Sequence, residues 1–145
     1  MRAPYQVIVI PYVKSGKSYR YAIFRRKDLG FWQAISGGGE NRETPTQAAK
    51  REAFEEAKIR KSSSFIKLHS MTTIPIADVG KHRWKAGVFV LPEYSFGVEV
   101  PTKELLIGKE HTRYLWLSYE RARGRLKYDS NRSALWELNC RLTKR

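Results

Sequence analysis

The stretch GGGENRETPTQAAKREAFEEAKI, residues 37–59, constrains this chain more than any other. Three glycines open it, and Thr44-Pro45 marks a helix start. The threonine hydroxyl can accept from the free N–H groups of a first turn, and proline at the first helical position gives up an N–H that would be unpaired anyway. Gln47 to Ala53 are good helix formers without a β-branched interruption, so the spacing predicts a helix over 45–57. Ala48, Ala49, Ala53 and Phe54 give it a small apolar stripe for packing on a sheet. Glu52, Glu55 and Glu56 then stand at i, i+3 and i+4, with their carboxylates on one face. Like charges so close repel each other. The simplest group to hold them together is a hard divalent cation with oxygen ligands, Mg²⁺ or Mn²⁺.

Most runs of charge are solvated faces. Here the distribution argues otherwise. The chain carries 28 Lys and Arg against 14 Asp and Glu, for a net charge of +14. Five of those 14 acids, Glu40, Glu43, Glu52, Glu55 and Glu56, nevertheless fall within residues 40–56. Arg51 is placed to reach back to Glu43 or to neutralise part of the cluster. The overall basic charge favours anionic partners, either phosphorylated small molecules or nucleic acid.

At 145 residues the chain is expected to form one domain, 1–145, with a single core. No apolar run approaches a membrane span and the N-terminus lacks a signal-peptide pattern. With Cys140 as its one cysteine, the chain suits a reducing compartment, and a cytoplasmic location is expected. Monomer and homodimer are both compatible with it.

Residues 5–13, YQVIVIPYV, predict a buried strand, and 14–18 a turn into a returning strand over 19–26. A short strand at 31–35 runs into the glycine loop, and further strands are expected at 65–76, 82–91 and 114–117. Residues 92–109, with two prolines and two glycines, are expected to be mainly loop. Ala134, Leu135, Leu138 and Leu142 recur at helical spacing, which predicts an amphipathic helix over 131–142. Strands on both sides of one helix, with a second helix at the end, make an α/β fold with a mixed sheet covered on both faces.

The stretch opened above resembles the Nudix box. Gly37 supplies its first glycine, Glu43 the next acid, then come Arg51-Glu52, Glu55-Glu56 and Ile59. Ala53 stands where the family has a larger aliphatic residue, and Lys58 where it has glycine; neither change removes a ligand. A signature with so many fixed positions is far more specific than an isolated glycine pair. The resemblance implies a Nudix-type α/β/α sandwich in which the box forms a loop-helix-loop. Arg25-Arg26, Phe31-Trp32-Gln33, Glu110-His111 and Ser130-Asn131-Arg132 further resemble the dihydroneopterin triphosphate pyrophosphatase branch of the family, also described as acting on dATP.

What that resemblance implies is a pyrophosphohydrolase that cleaves a pterin or nucleoside triphosphate to monophosphate and pyrophosphate. Glu52 and Glu56, with Glu55 and the Gly37 carbonyl, would hold the divalent ions, and Arg51 would support them. Glu110 would act as base or further ligand, with Glu104 as the fallback. Arg2 and Arg25 would clamp phosphates; Ser36, Ser130 and Trp32 would meet the substrate. Trp32 is as readily explained as core, and His69, His82 and His111 as structural or exposed residues. The basic run Arg121, Arg123, Arg125 and Lys127 is as readily a solvated face. Two rival functions remain open to a chain of this pattern: a Nudix enzyme acting on RNA 5′ ends or dinucleotides, which the charge suits, and a non-catalytic nucleotide sensor, against which the retained glutamates argue.

Overall fold

Alternation along one strand sets up the two layers of the molecule. The computed structural model describes residues 1–80, 82–109 and 111–144. In β1 (Arg2–Ser15), Val7 and Val9 join one hydrophobic cluster while Ile8, Ile10 and Tyr12 join another, as a period of two requires. The first cluster takes in Ala48, Ala49 and Ala53 of α1 (Pro45–Ala57). The second takes in Ala122 of α2 (Tyr119–Arg125) and Ala134, Leu135 and Leu138 of α3 (Asp129–Thr143). The result is the expected α/β/α sandwich.

Among the described residues the sheet has seven strands. β2 (Ser18–Arg26) returns antiparallel to β1, with Tyr12 opposite Tyr21, and also pairs with β3 (Trp32–Gln33) and β7 (His111–Leu117). β4 (Ile35–Glu40) lies antiparallel on the first half of β1, with Val7 opposite Gly37. β6 (Val90–Glu99) lies parallel to β1 on its other side, with Gln6 opposite Glu93, and β5 (Phe65–Pro75) closes the row antiparallel to β6. β4 has β1 as its strand partner among the described residues. No described helix is long and apolar enough to cross a membrane.

Three expectations need correction. Residues 82–89 are not a strand: Gly87, at φ +87°, turns the chain and leaves Val88-Phe89 outside the sheet, with Phe89 75% exposed. The segment expected as loop holds β6, a central strand. Its Gly97 is not a breaker but a point of close approach, since a Cβ there would collide with Leu138 of α3. The glycine loop is itself strand β4, and the basic run after residue 118 lies partly on a short helix, α2.

Candidate active site

α1 begins as its sequence requires. Thr44 Oγ1 accepts from Gln47 N–H at 3.2 Å, and Gln47 Oε1 accepts from Thr44 N–H at 2.9 Å, a reciprocal capping box with Pro45 at the first position. The other end closes on Lys58 in the left-handed conformation, φ +56°, with its N–H donating to Ala53 and Phe54 carbonyls. A lysine thus makes the turn for which a glycine would be better suited.

Arg51 ties this helix to the sheet. Its Nε and Nη2 donate to the two Glu43 carboxylate oxygens at 2.8 and 3.0 Å, and Nη2 also donates to the Gly38 carbonyl at 2.7 Å. Nη1 lies 2.8 Å from Glu52 Oε1 and 3.3 Å from Glu55 Oε2. Hydrogen bonding to Glu43 leads the effects that raise the guanidinium further above its usual pKa. Among the described residues the carboxylates therefore do not form a ready-made set of three ligands, because Arg51 occupies the gap between Glu52 and Glu55.

The electrostatics still leave this face short of positive charge. Burial pushes the Glu52 carboxyl up to about 7; Arg51 opposes that shift, and the charges of Glu55 and Glu56 add to it. Glu56 is 8% exposed, and its Oε2 has no hydrogen-bond partner among the described residues. The Nδ1 of His111 lies 3.3 Å from that oxygen, within ion-pair range but not aligned as a hydrogen bond. A buried carboxylate oxygen with no partner among the described residues, beside a second carboxylate with a raised pKa, is chemistry that suits a divalent cation. The residues present fit Mg²⁺ or Mn²⁺.

The glycines of β4 make the close approaches possible. A Cβ on Gly37 would collide with the Glu52 carboxyl, and one on Gly38 with the Arg2 guanidinium. Arg2 donates to the Ala3 and Tyr5 carbonyls, both at 2.6 Å, and to Gln6 Oε1. Burial lowers its pKa, while the charge of Glu52 raises it, so the two groups feel each other across the glycine strand.

Beyond Gln6 opens a cavity of about 600 Å³, lined on one wall by Gln6, Gln33, Ser36 and Arg26 and on the other by Glu93, Ser130 and Asn131. Ser36 and Ser130 both line this cavity. Arg25 and Trp32 do not line it; their neighbours Arg26 and Gln33 do. Arg25 Nε donates to the Gly30 carbonyl at 3.1 Å, and Trp32 lies beneath the guanidiniums of Arg113 and Arg125, at 5.7 and 5.9 Å.

Glu110 lies outside the described residues. Its described neighbours meet Glu56: Gly108 N–H donates to the Glu56 carbonyl at 2.7 Å, and His111 packs on the carboxylate as above. Glu104 is exposed and its backbone N–H reaches Thr102. His69 and His82 are exposed, whereas His111 is buried against Phe24, with ring centroids 5.3 Å apart. Sequence reasoning missed Gln6, Glu93, Asn131 and the placement of His111. The polar residues Gln6 and Glu93 in otherwise apolar strands were the available signal.

Comparison with known proteins agrees with this geometry. The NUDIX domain model matches residues 4–136. The chain is 31% identical to dihydroneopterin triphosphate diphosphatase of Escherichia coli strain K12 over 137 residues, covering 92% of this chain and 91% of that one. The structure of the E. coli dihydroneopterin triphosphate pyrophosphohydrolase superposes with a TM-score of 0.80 at 29% identity, covering 97% of each chain. A Nudix-hydrolase structure from Listeria monocytogenes superposes with a TM-score of 0.87 at 34% identity, covering 98% of this chain and 96% of that one. With the box, the sandwich and the acidic helix face in agreement, the chain belongs to the Nudix hydrolases.

Proposed function

We propose that this protein is a divalent-metal-dependent pyrophosphohydrolase that cuts a pterin or nucleoside triphosphate between its α and β phosphates, releasing a monophosphate and pyrophosphate. The observation that carries this reading is the Glu52–Glu56 pair, one carboxyl raised to about 7 by burial and the other with a buried oxygen that has no partner among the described residues. Similarity to the E. coli diphosphatase supports the substrate class.

Glu52 and Glu56, with Glu55 and the Gly37 carbonyl, would hold Mg²⁺ or Mn²⁺. When bound, such an ion neutralises charge on phosphate oxygens and makes a water more acidic. Arg51 fixes the Glu52 carboxylate and the strand beneath it, so that little reorganisation accompanies reaction. β4 runs from Ser36 on the cavity to Gly37 against the Glu52 carboxyl, so a polyphosphate laid along it would reach the acidic face. Arg2, which touches Gln6 on the cavity side and feels Glu52 on the other, is placed to neutralise it on the way. Ser36 and Ser130 meet the ring, Arg25 and Trp32 brace the wall that carries Arg26 and Gln33, and Glu110 takes the proton of the attacking water.

The reaction in ¹⁸O-water with Mg²⁺ tests this. Pyrophosphate and a monophosphate are the expected products, and chelation of the metal should stop their release. Mainly orthophosphate with a diphosphate would contradict the reading.

A further inference from the structure

Glu93 lies in β6, 6% exposed, on the wall of the cavity that Ser36 and Ser130 also line. A buried carboxylate needs a reason. What holds it is a relay of polar groups fixed by the fold. Ala34 N–H donates to Asn131 Oδ1 at 2.8 Å, which fixes the amide's orientation. Asn131 Nδ2 then donates to Ser130 Oγ at 3.2 Å, so the Ser130 hydroxyl hydrogen is directed to its other partner, the Glu93 carboxylate. One hydroxyl donor satisfies only one of about four acceptor sites on a carboxylate. Burial pushes the Glu93 pKa up, against the pull of Ser130.

We infer that Glu93 is the specificity-determining residue of this pocket and that it reads the adjacent ring N–H and exocyclic NH₂ of a 2-amino-4-oxopyrimidine edge, as found in pterins and guanines. This rests on the pyrophosphohydrolase reading and narrows its substrate class. Two carboxylate oxygens are an acceptor pair, and that edge is a donor pair of matching spacing, so the contact is bidentate and charge-assisted. Adenine offers a donor beside an acceptor, which would set a ring-nitrogen lone pair against a carboxylate oxygen. A buried site built for donors rejects such a ring because the mismatch leaves a desolvated polar atom unpaired. Gln33, Ser36 and Gln6 complete the lining with groups that can serve the ring's remaining polar atoms.

Glu93→Gln tests the assignment because it changes the pattern from two acceptors to a donor beside an acceptor, which suits adenine. Initial rates would be measured with dihydroneopterin triphosphate, dGTP and dATP in Mg²⁺. For the first two, kcat/KM should fall roughly 10- to 100-fold, mostly through KM, while the value for dATP holds or rises. In parallel, phosphate-free dihydroneopterin, guanosine and adenosine would be titrated into wild type and variant without metal, reading Kd by calorimetry. Dihydroneopterin and guanosine should weaken and adenosine should not. An equal loss for all three rings, or no loss, in a variant whose Tm matches wild type would overturn the inference. If wild type hydrolyses none of the triphosphates, the pyrophosphohydrolase reading fails, and the titrations alone decide the role of Glu93.

Discussion

Glu137 on α3 and Glu52 on α1 are alike in side-chain exposure, 17% and 12%, yet their environments push them in opposite directions. Burial would raise the Glu137 carboxyl, but the N–H groups of His69 and Ser70, the Ser70 hydroxyl and the Arg141 guanidinium, all within 2.6–2.8 Å, bring it down to about 2. Glu52 has the Arg51 guanidinium at 2.8 Å, two other glutamates nearby, and a pKa of about 7. Glu52 lies deeper beneath its neighbours and has fewer fixed donors, and both differences separate it from Glu137. Glu137 has its acceptor sites filled and pins α3 to β5. Glu52 has one cationic partner, Arg51, and the charges of Glu55 and Glu56 beside it, which suits the cation-binding role proposed for it. Under the proposed function, that difference is the one between a working carboxylate and a structural one.

The comparison breaks first on catalysis. Glu56→Gln removes charge from the face that is short of donors and should lower kcat about a hundredfold or more, from the loss of several kcal/mol of charge stabilisation. Circular dichroism should show an unchanged fold. Glu137→Gln should leave kcat within about threefold of wild type below its Tm. If the two variants exchange these outcomes, the assignment of roles to the two helices is wrong.

The proposed function gives Glu110 the role of base. Glu110→Gln keeps the shape and loses the charge, so kcat should drop at least tenfold with little change in KM, and the acidic limb of the pH–rate profile should flatten. Glu104→Gln is the matched control and should do little. The reverse pattern would transfer the role to Glu104; no effect from either would move the base into the box, to Glu55 or Glu52.

A smaller effect follows from the raised pKa of Glu52. A metal must displace the proton, so affinity for Mn²⁺ should weaken as the pH falls through about 7, by up to about tenfold per unit. Titrations read by calorimetry between pH 6 and 8 would show it. Affinity flat across that range would mean that Glu52 is already ionised throughout it.

How much of this was legible in sequence depends on how local each signal is. α1 was legible because Thr44, Pro45 and Gln47 cap it from within one turn. The approach of Arg51 to Glu43 was legible too, since both lie within the box. β6 was not. Pro92 and Gly97 look like breakers, and only the packing of Leu138 onto Gly97 explains the glycine. That error hid Glu93, whose alternation with Tyr94, Phe96 and Val98 on the opposite side of the strand is visible once the strand is drawn. α2 escaped because Ala122 is its one buried residue, too little for a helical period to show. The apolar Val88-Phe89 pair promised a strand that Gly87 turns away from the sheet.

The smallest expected effect lies in stability and belongs to Glu137. Its pKa is near 2 in the folded chain against 4.5 for an unperturbed glutamate. The folded state therefore binds the proton less readily than the unfolded one. Its contribution is fully present above pH 4.5 and is lost as the pH falls through about 2. Replacing it with glutamine breaks the pairing with the His69 and Ser70 N–H groups and Arg141, at a cost of about 1–2 kcal/mol after allowance for solvent screening. For a chain of this size that is roughly 4–8 °C in Tm at pH 7. Other carboxylates titrate over the same range in both proteins, so the difference between wild type and variant isolates this group. Thermal melts should show the gap constant from pH 7 to 5, narrowing below 4.5 and closing near 2. A gap that stays constant down to pH 2 would show that Glu137 holds α3 by shape alone, and the contrast with Glu52 would then not rest on charge.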